Sequence, residues 1–421
     1  MNTPGQPADL AQLNPAKSAR TRMRILHSAA RALAAGGGAG LRIHEVAAAA
    51  GLQSSAVYYH FESREQLVSE VALRGWIALD RWVSDALVFT ACGASARDRI
   101  KVAIEAHLRC QLETSDFALA AARVSHPNDE ARTYGPAPTA GYDAMWEELL
   151  LDAVRAGEAS PALDLPCAAR LVVGTLHQSA LWWSRAIGTV DEVIRCAQML
   201  VCDGLAPVNR THTNRPLEVW PLDRATLGTR GRLLTATASS LRERGYERAT
   251  LADIAQRANV RGPAIYHYFA SRDQLIEESA CSAIRRLQSR THLALSDLPP
   301  DAGPMTQMMT ALGVHCRLSL DDAGFVPITA GRSVELPNGI RDAVRQAGVD
   351  IEASWDRLIR AAPNLAAQRP ETGPTIPRML LLGAADRANH AGLASSETHI
   401  MVSTSQLLIN GGLLAFESAT P

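Results

Sequence analysis

Gly51-Leu-Gln-Ser-Ser-Ala-Val-Tyr-Tyr-His-Phe61, followed by Ser63-Arg-Glu-Gln-Leu67, decides how this chain is read, because it is written twice. The second copy is Asn259-Val-Arg-Gly-Pro-Ala-Ile-Tyr-His-Tyr-Phe269 with Ser271-Arg-Asp-Gln-Leu275. Working outward, Thr21–Leu67 lies over Thr229–Leu275 without a gap. Identical pairs include Arg22/Arg230, Arg24/Arg232, Leu26/Leu234, Leu33/Leu241, Ala47/Ala255, Tyr58/Tyr266, Phe61/Phe269, Arg64/Arg272 and Leu67/Leu275. Apolar exchanges such as Val46/Ile254 and Val57/Ile265 fill the positions between. Self-similarity at one fixed separation marks a duplicated unit. Weaker matches continue through His107/His315, Trp146/Trp355 and Gly174/Gly383, so the chain divides into two homologous halves.

Each repeated unit reads as a small helical bundle. Ile25, Leu26, Ala29, Ala30 and Leu33 recur at helical spacing, and Gly36–Gly40 ends that helix. Val46, Ala47 and Ala50 form the inner face of a second, short helix; Gly51 turns the chain; Val57 and Phe61 point inward from a third. Ser63 is placed to cap a fourth helix with Gln66 as its partner three residues on. In the second unit Thr250 with Asp253 caps the second helix, and Pro263 sits in the first turn of the third, where a missing N–H costs nothing. Two short helices joined by a tight turn and packed on a first helix form a helix-turn-helix.

The third helix is too short and too polar for a core element. Its outward set is Gln53, Ser54, Ser55, Tyr58, Tyr59 and His60 in one unit and Arg261, Gly262, Tyr266, His267 and Tyr268 in the other. Such side chains suit base edges and the phosphates that flank a major groove. Arg64 and Arg272 open the fourth helices, where a helix N-terminus plus a cation would clamp phosphate. Arg20, Arg22 and Arg24, with Arg230 and Arg232, are placed to grip backbone from the first helices. The expected divisions are a tail over 1–17, helix-turn-helix domains at 18–72 and 225–280, larger helical domains at 73–205 and 281–421, and a Pro-rich linker at 206–224.

Whole-chain numbers narrow the field. Forty-two basic residues face 43 acidic ones, a formal net charge of −1, so nucleic-acid affinity has to come from local patches. The seven cysteines form no CxxC pair, which speaks against a zinc site or a disulfide framework and for a reducing cytoplasm. No apolar run is long enough for a membrane span. A nucleophile elbow, metal-ligand spacing and a cofactor loop are all missing; Gly36–Gly40 lacks the Lys-Ser/Thr of a phosphate loop. No enzyme, metal or cofactor is expected.

The two quoted runs resemble the DNA-binding signature of TetR/AcrR-type regulators, over about 55 residues in each copy. The resemblance implies an all-α protein whose C-terminal helical domain binds an inducer and makes a dimer. It places Gln53, Ser54, Arg261 and Gly262 at base-contacting positions, and Tyr58, Tyr59, His60, Arg64, Tyr266, His267 and Arg272 at phosphate-contacting ones. Thr250 fits the usual cap of the second helix, whereas the first unit has Arg42 there; Tyr268 and Asn259 replace the common His and Gly. Trp182-Trp183-Ser-Arg185 resembles the Trp-containing penultimate helix of many relatives.

In the larger domains helical stripes recur at Ile100–Leu112, Leu171–Trp183 and Val193–Val201, with counterparts near Leu312–Leu320, 380–382 and 407–413. The last two helices of each half, about 168–184 with 190–204 and 377–393 with 398–416, correspond to those through which family dimers pack. His107, Trp146, Trp183, His315 and Trp355 are candidates for a pocket taking a small hydrophobic inducer; for His107 and His315 the plainer reading is a satisfied core histidine. The expectation is a ligand-responsive repressor whose halves form an intramolecular pseudo-dimer on an asymmetric, near-palindromic duplex operator, with a further homodimer left open. The competing expectation is a ligand- or partner-binding protein in which one or both readers have decayed.

Overall fold

The computed structural model describes residues 15–37, 41–90, 93–124, 140–205, 228–321, 336–361 and 375–387, and every regular element among them is helical. The first half contains α1 (Pro15–Gly36), α2 (Ile43–Ala49), α3 (Ser54–His60), α4 (Arg64–Val88), α5 (Ala96–Arg109), a π-helical turn (Cys110–Thr114), α6 (Asp116–Val124), α7 (Ala140–Arg155), α8 (Leu165–Trp182) and α9 (Val190–Leu205). The second contains α10 (Thr229–Arg248), α11 (Leu251–Ala258), a 3₁₀ helix (Gly262–His267), α12 (Arg272–Ser296), α13 (Pro304–Asp321), α14 (Asn338–Ala361) and α15 (Thr375–Arg387).

The stripe expected on α1 is the buried one: Ile25, Leu26, Ala29, Ala30 and Leu33 meet Val46, Val57, Phe61 and Leu67 in one small core. Its repeat joins Leu233, Ile254, Ile265, Phe269 and Leu275. Burying each large apolar side chain contributes roughly 1.5–3 kcal/mol, which lets helices of seven residues hold their place.

A continuous helix crosses each boundary expected between small and large domain. On α4, Leu67 and Val71 belong to the small core, while Trp76, Leu79 and Val83 belong to the large one. α6 is shared in the same way: Ala120 lies in the small core, Ala118, Ala121 and Ala122 in the large. Gly75 makes the α4–α6 approach close, since a Cβ there would stand 2.3 Å from the Phe117 carbonyl oxygen.

α1 begins at Pro15, inside the expected tail. α8 and α9 correspond to the helices expected at 168–184 and 190–204, but α8 stops at Trp182. α15 covers the first part of 377–393; the expected helix at 398–416 and the linker at 206–224 lie outside the described residues. The halves touch through these elements. Ile376, Met379 and Leu380 of α15 enter the core that contains Leu171, Val172 and Leu176 of α8, while Leu381 and Leu382 join the second half's own core. Met199 and Leu200 of α9 pack against that second core in return.

Candidate nucleic-acid interface

The two reading units share a local architecture down to single hydrogen bonds. Ser63 Oγ accepts from Gln66 N at 3.0 Å, and Gln66 Oε1 accepts from Glu62 N at 2.6 Å. Ser271 and Gln274 repeat this at 3.1 Å, with Ala270 N donating to Gln274 Oε1 at 2.6 Å. The glutamine closes its box one residue ahead of the cap and so fixes how the chain enters α4 and α12. The turn before the third helix is left-handed in both units, Gly51 at φ 66° and Asn259 at φ 52°. Glycine enters that region freely and asparagine is among the few residues that tolerate it, so one turn survives two sequences.

Exposed on this frame are the side chains of the third helices. Tyr58 and Tyr59 stand 55% and 68% exposed, Tyr266 and Tyr268 61% and 44%, although tyrosines usually bury their rings. Gln53, Ser55, Arg261, Gly262 and His267 are also exposed; Ser54 and His60 are half-buried. Burial, then the charge of nearby Arg22, holds the His60 imidazole below its usual range.

The two readers are not copies in shape. Residues 54–60 form α-helix, whereas Gly262–His267 form a 3₁₀ helix with Pro263 in its first turn. The expectation of matching helices is corrected here. A segment of six residues is short enough for the tighter 3₁₀ winding, which occurs mostly in such short pieces.

The expected phosphate-gripping arginines are braced within their own units. Arg22 forks onto Glu70, with its guanidinium 4.7 Å over the Phe61 ring. Arg230 pairs with Glu278 through Nη2 alone, its guanidinium 5.4 Å over the Phe269 ring. Burial works to raise the Glu70 pKa, but Arg22 and Arg74 outweigh it and hold the carboxyl below the usual range. Arg64 Nε donates to the Leu41 carbonyl at 3.3 Å, and Arg272 Nε to the Ala249 carbonyl at 2.8 Å. Arg272 also donates to Tyr246 O and lies 4.3 Å over its ring. Arg24 holds the Ala50 carbonyl, the last before the Gly51 turn. Arg64 and Arg272 thus lock the loop ahead of each second helix to the helix behind the reader, while Arg22 and Arg230 tie that helix to the first.

Thr250 caps α11, its Oγ1 accepting from Asp253 N at 3.2 Å. The Asp253 carboxylate accepts from Ser240 Oγ at 2.5 Å and Arg257 Nε at 2.9 Å. Arg42, at the same place in the first unit, offers no side-chain cap. It contributes instead to a concavity of about 570 Å³ walled by Arg42, His44, Ser54, Tyr58 and Arg64. Sequence reasoning treated Arg42 only as a departure and passed over His44; both follow a loop whose course is set by the Arg64–Leu41 bond.

The pocket candidates of the larger domains are core residues. His107, Trp146 and His315 are fully buried, Trp355 is 2% exposed, and Trp183 lies beyond the end of α8, its Nε1 donating to Gly188 O at 3.1 Å. His107 Nδ1 is 2.7 Å from the Tyr142 hydroxyl and Nε2 is 3.3 Å from Gln111 Oε1. Gln111 reaches Ser179 Oγ at 3.0 Å, and His177 stacks on Trp76 at 4.4 Å. This links α5, α7, α8 and α4 through polar and aromatic groups buried in one cluster. Among the described residues no group of three His, Cys, Asp or Glu side chains could hold a metal, and no helix is long and apolar enough to cross a membrane.

The family described as bacterial regulatory proteins, tetR family, matches residues 25–71 and again 233–279. A tetracyclin repressor-like C-terminal domain matches residues 93–201. The HTH-type transcriptional repressor KstR2 of Rhodococcus jostii is 28% identical over 197 residues, 45% of this chain and 93% of the relative. The HTH-type transcriptional regulator BetI of Burkholderia mallei is 38% identical over 73 residues, 17% of this chain and 37% of BetI. The solved fatty acid degradation regulator FadR of Bacillus halodurans aligns with a TM-score of 0.39 at 18% identity, over 46% of this chain and 98% of FadR.

Two helix-turn-helix units on an all-α chain, each matched to the same regulatory family, define a DNA-binding transcriptional regulator rather than an enzyme. The chain belongs to the TetR family, with the family's reading unit present twice in tandem.

Proposed function

We propose that the chain is a ligand-responsive repressor acting as an intramolecular pseudo-dimer, its two readers taking the two halves of one asymmetric operator. The observation that carries this reading is the entry of Ile376, Met379 and Leu380 into the core of the first half beside α8. Those elements correspond across the duplication, so the halves meet as two subunits of a twofold dimer would. Readers so paired would engage the major groove about 34–36 Å apart, one turn of duplex. Gln53, Ser54 and Ser55 would read one half-site; Arg261 and Gly262 would read the other, with Arg261 suited to guanine. Tyr58, Tyr59, His60, Tyr266 and His267 would meet phosphates, as would Arg22, Arg64, Arg230 and Arg272 through donors left over from their internal bonds. Thr250 would contribute by holding α11 against the backbone.

A small, largely apolar inducer would act on the buried cluster about His107 and Trp146, and on its counterpart about His315 and Trp355, by favouring a packing whose reader spacing misfits DNA. Trp183 would edge the first of these sites. The protein would work in the cytoplasm, where its operators are.

The test is selection from a random duplex library with the full chain, followed by solution mass with and without the selected duplex. One chain on an asymmetric site is expected; a perfectly palindromic consensus, or two chains on every duplex, would overturn the pseudo-dimer. The 3₁₀ winding of residues 262–267 favours one further reading, in which the second reader has lost sequence discrimination. In that case selection returns a single half-site, and the affinity of the second unit falls steeply with salt without regard to sequence.

A further inference from the structure

Arg123 occupies a place that the DNA-reading function does not explain. It lies in the last turn of α6 and reaches two other helices. Its Nη1 donates to the Ala34 carbonyl in the last turn of α1, with Ala35 O at 3.5 Å, and its Nε donates to the Ala180 carbonyl near the end of α8 at 3.2 Å. Carbonyls at a helix C-terminus lack intrahelical donors and carry the negative end of the helix dipole. One guanidinium therefore satisfies two such ends, and its rigid fork sets their separation. Around this bond α6 is already a splint. Phe117 meets His27 of α1 edge-on at 4.9 Å, and Ala120 sits in the core of the first reader, while Ala121 packs in the core that contains α8.

From this geometry we infer that Arg123 is a coupling strut, through which the docking of the second half on α8 sets the position of the first reader. The chain of contacts is short: Leu380 of α15 against the core about α8, Ala180 of α8 on Arg123, Arg123 on the end of α1, and α1 against Phe61 and Val57 of the first reader. A shift of α8 along or about its axis would have to break the Arg123 fork or carry the end of α1 with it. The use made of that shift in reading an operator rests on the proposed function; the coupling itself does not.

The test is a double-mutant cycle on the full chain, read by amide hydrogen exchange without DNA. Leu380→Ala loosens the packing of α15 on the first half. With Arg123 present, it is expected to speed exchange of the amides at residues 32–37 by about threefold or more, a factor well within what local opening can report. In an Arg123→Gln background, Leu380→Ala should produce no further change there, because the strut is already cut. A merely structural Arg123 would leave the two effects additive, and additivity, or a silent Leu380→Ala in the Arg123 chain, overturns the inference. Should Arg123→Gln fail to fold, Arg123→Lys keeps the charge but loses the fork, and the same cycle is read in that background. A second arm footprints both half-sites of a library-selected duplex. Loss of about tenfold at the first half-site alone supports the role in reading, whereas equal losses at both overturn it. Failure of the wild-type chain to bind any duplex would sink the proposed function and leave the exchange cycle to decide the strut.

Discussion

Single residues show how tightly backbone geometry constrains this chain. Asn259 holds the left-handed turn that Gly51 holds in the first unit. Asn259→Gly is therefore expected to stay within about 0.5 kcal/mol of wild type in urea unfolding, while Asn259→Ala should lose about 1 kcal/mol. Gly51→Ala should likewise lose about 1 kcal/mol, because any Cβ is strained at φ 66°. Equal tolerance of glycine and alanine at 259 would contradict the turn assignment. His107 gives a second residue-scale case, set by pH. Burial lowers its pKa to about 4 from 6.5, against a smaller opposing effect of the Gln111 hydrogen bond. Below pH 6.5 the unfolded chain takes up a proton that the fold refuses until about pH 4. The stability at stake is thus intact above pH 6.5 and lost on descent to pH 4, by about 3 kcal/mol. The stability advantage of wild type over His107→Gln should shrink by about that amount between pH 7 and pH 4; a constant gap would mean that His107 takes up its proton in the fold as readily as in the unfolded chain.

At the scale of elements, what the sequence disclosed was whatever repeats locally. The 3.6-residue stripe of α1, the Ser-Gln boxes that open α4 and α12, and the Thr250 cap all rest on neighbours within four residues, and all stand where the pattern put them. The 3₁₀ winding at Gly262–His267 was not legible, because the choice between two tight windings turns on differences smaller than any spacing rule carries. Nor was the assignment of Arg22 to Glu70: the partners stand far apart along the chain and meet only after α1 docks on α4. The pocket candidates were legible as buried aromatics and histidines, but spacing alone does not tell whether a buried ring lines a cavity or fills it. Gly75 shows the same limit. It reads as an ordinary helix glycine, weak by propensity, until α6 is seen passing within contact of it. Gly75→Ala is expected to cost 1–3 kcal/mol, roughly the penalty of overpacking, since its Cβ would meet Phe117 O at 2.3 Å and Ala121 Cβ at 2.5 Å. The second half carries Ala283 at the corresponding position, buried in its own core, and there Ala283→Gly should lose about 1 kcal/mol. Thermal unfolding of both variants distinguishes a clash from a propensity effect, and a neutral Gly75→Ala would remove the close α4–α6 approach from the account.

For the whole molecule, the question is what is gained by joining two readers in one chain. A tether alone raises the local concentration of the second reader to about millimolar when the linker can span the sites, and nearly to zero when it cannot. In the proposed pseudo-dimer, docking of α15 on α8 would go further, because it would fix orientation as well as distance. That orientation depends on a helix which is apolar on two sides: Met379 and Leu380 face the first core, Leu381 and Leu382 the second. A run of four large apolar residues is read from sequence simply as buried helix, and only the second set of neighbours reveals it as a joint. Leu380→Asp would place a carboxylate at a site 1% exposed, in contact with the core of the other half. The cost of leaving that charge unpaired exceeds what one leucine contact returns, so the halves should separate while each keeps its own core. On a duplex bearing only the second half-site the variant should bind as wild type does. On a duplex bearing both, its affinity should fall by about a hundredfold, and the dependence of log affinity on log salt should flatten toward the single-site slope, since fewer phosphates are neutralised at once. If two-site affinity and salt slope both stay at wild-type values, the readers act as independent modules on a flexible tether, and the α8–α15 contact has no part in holding DNA.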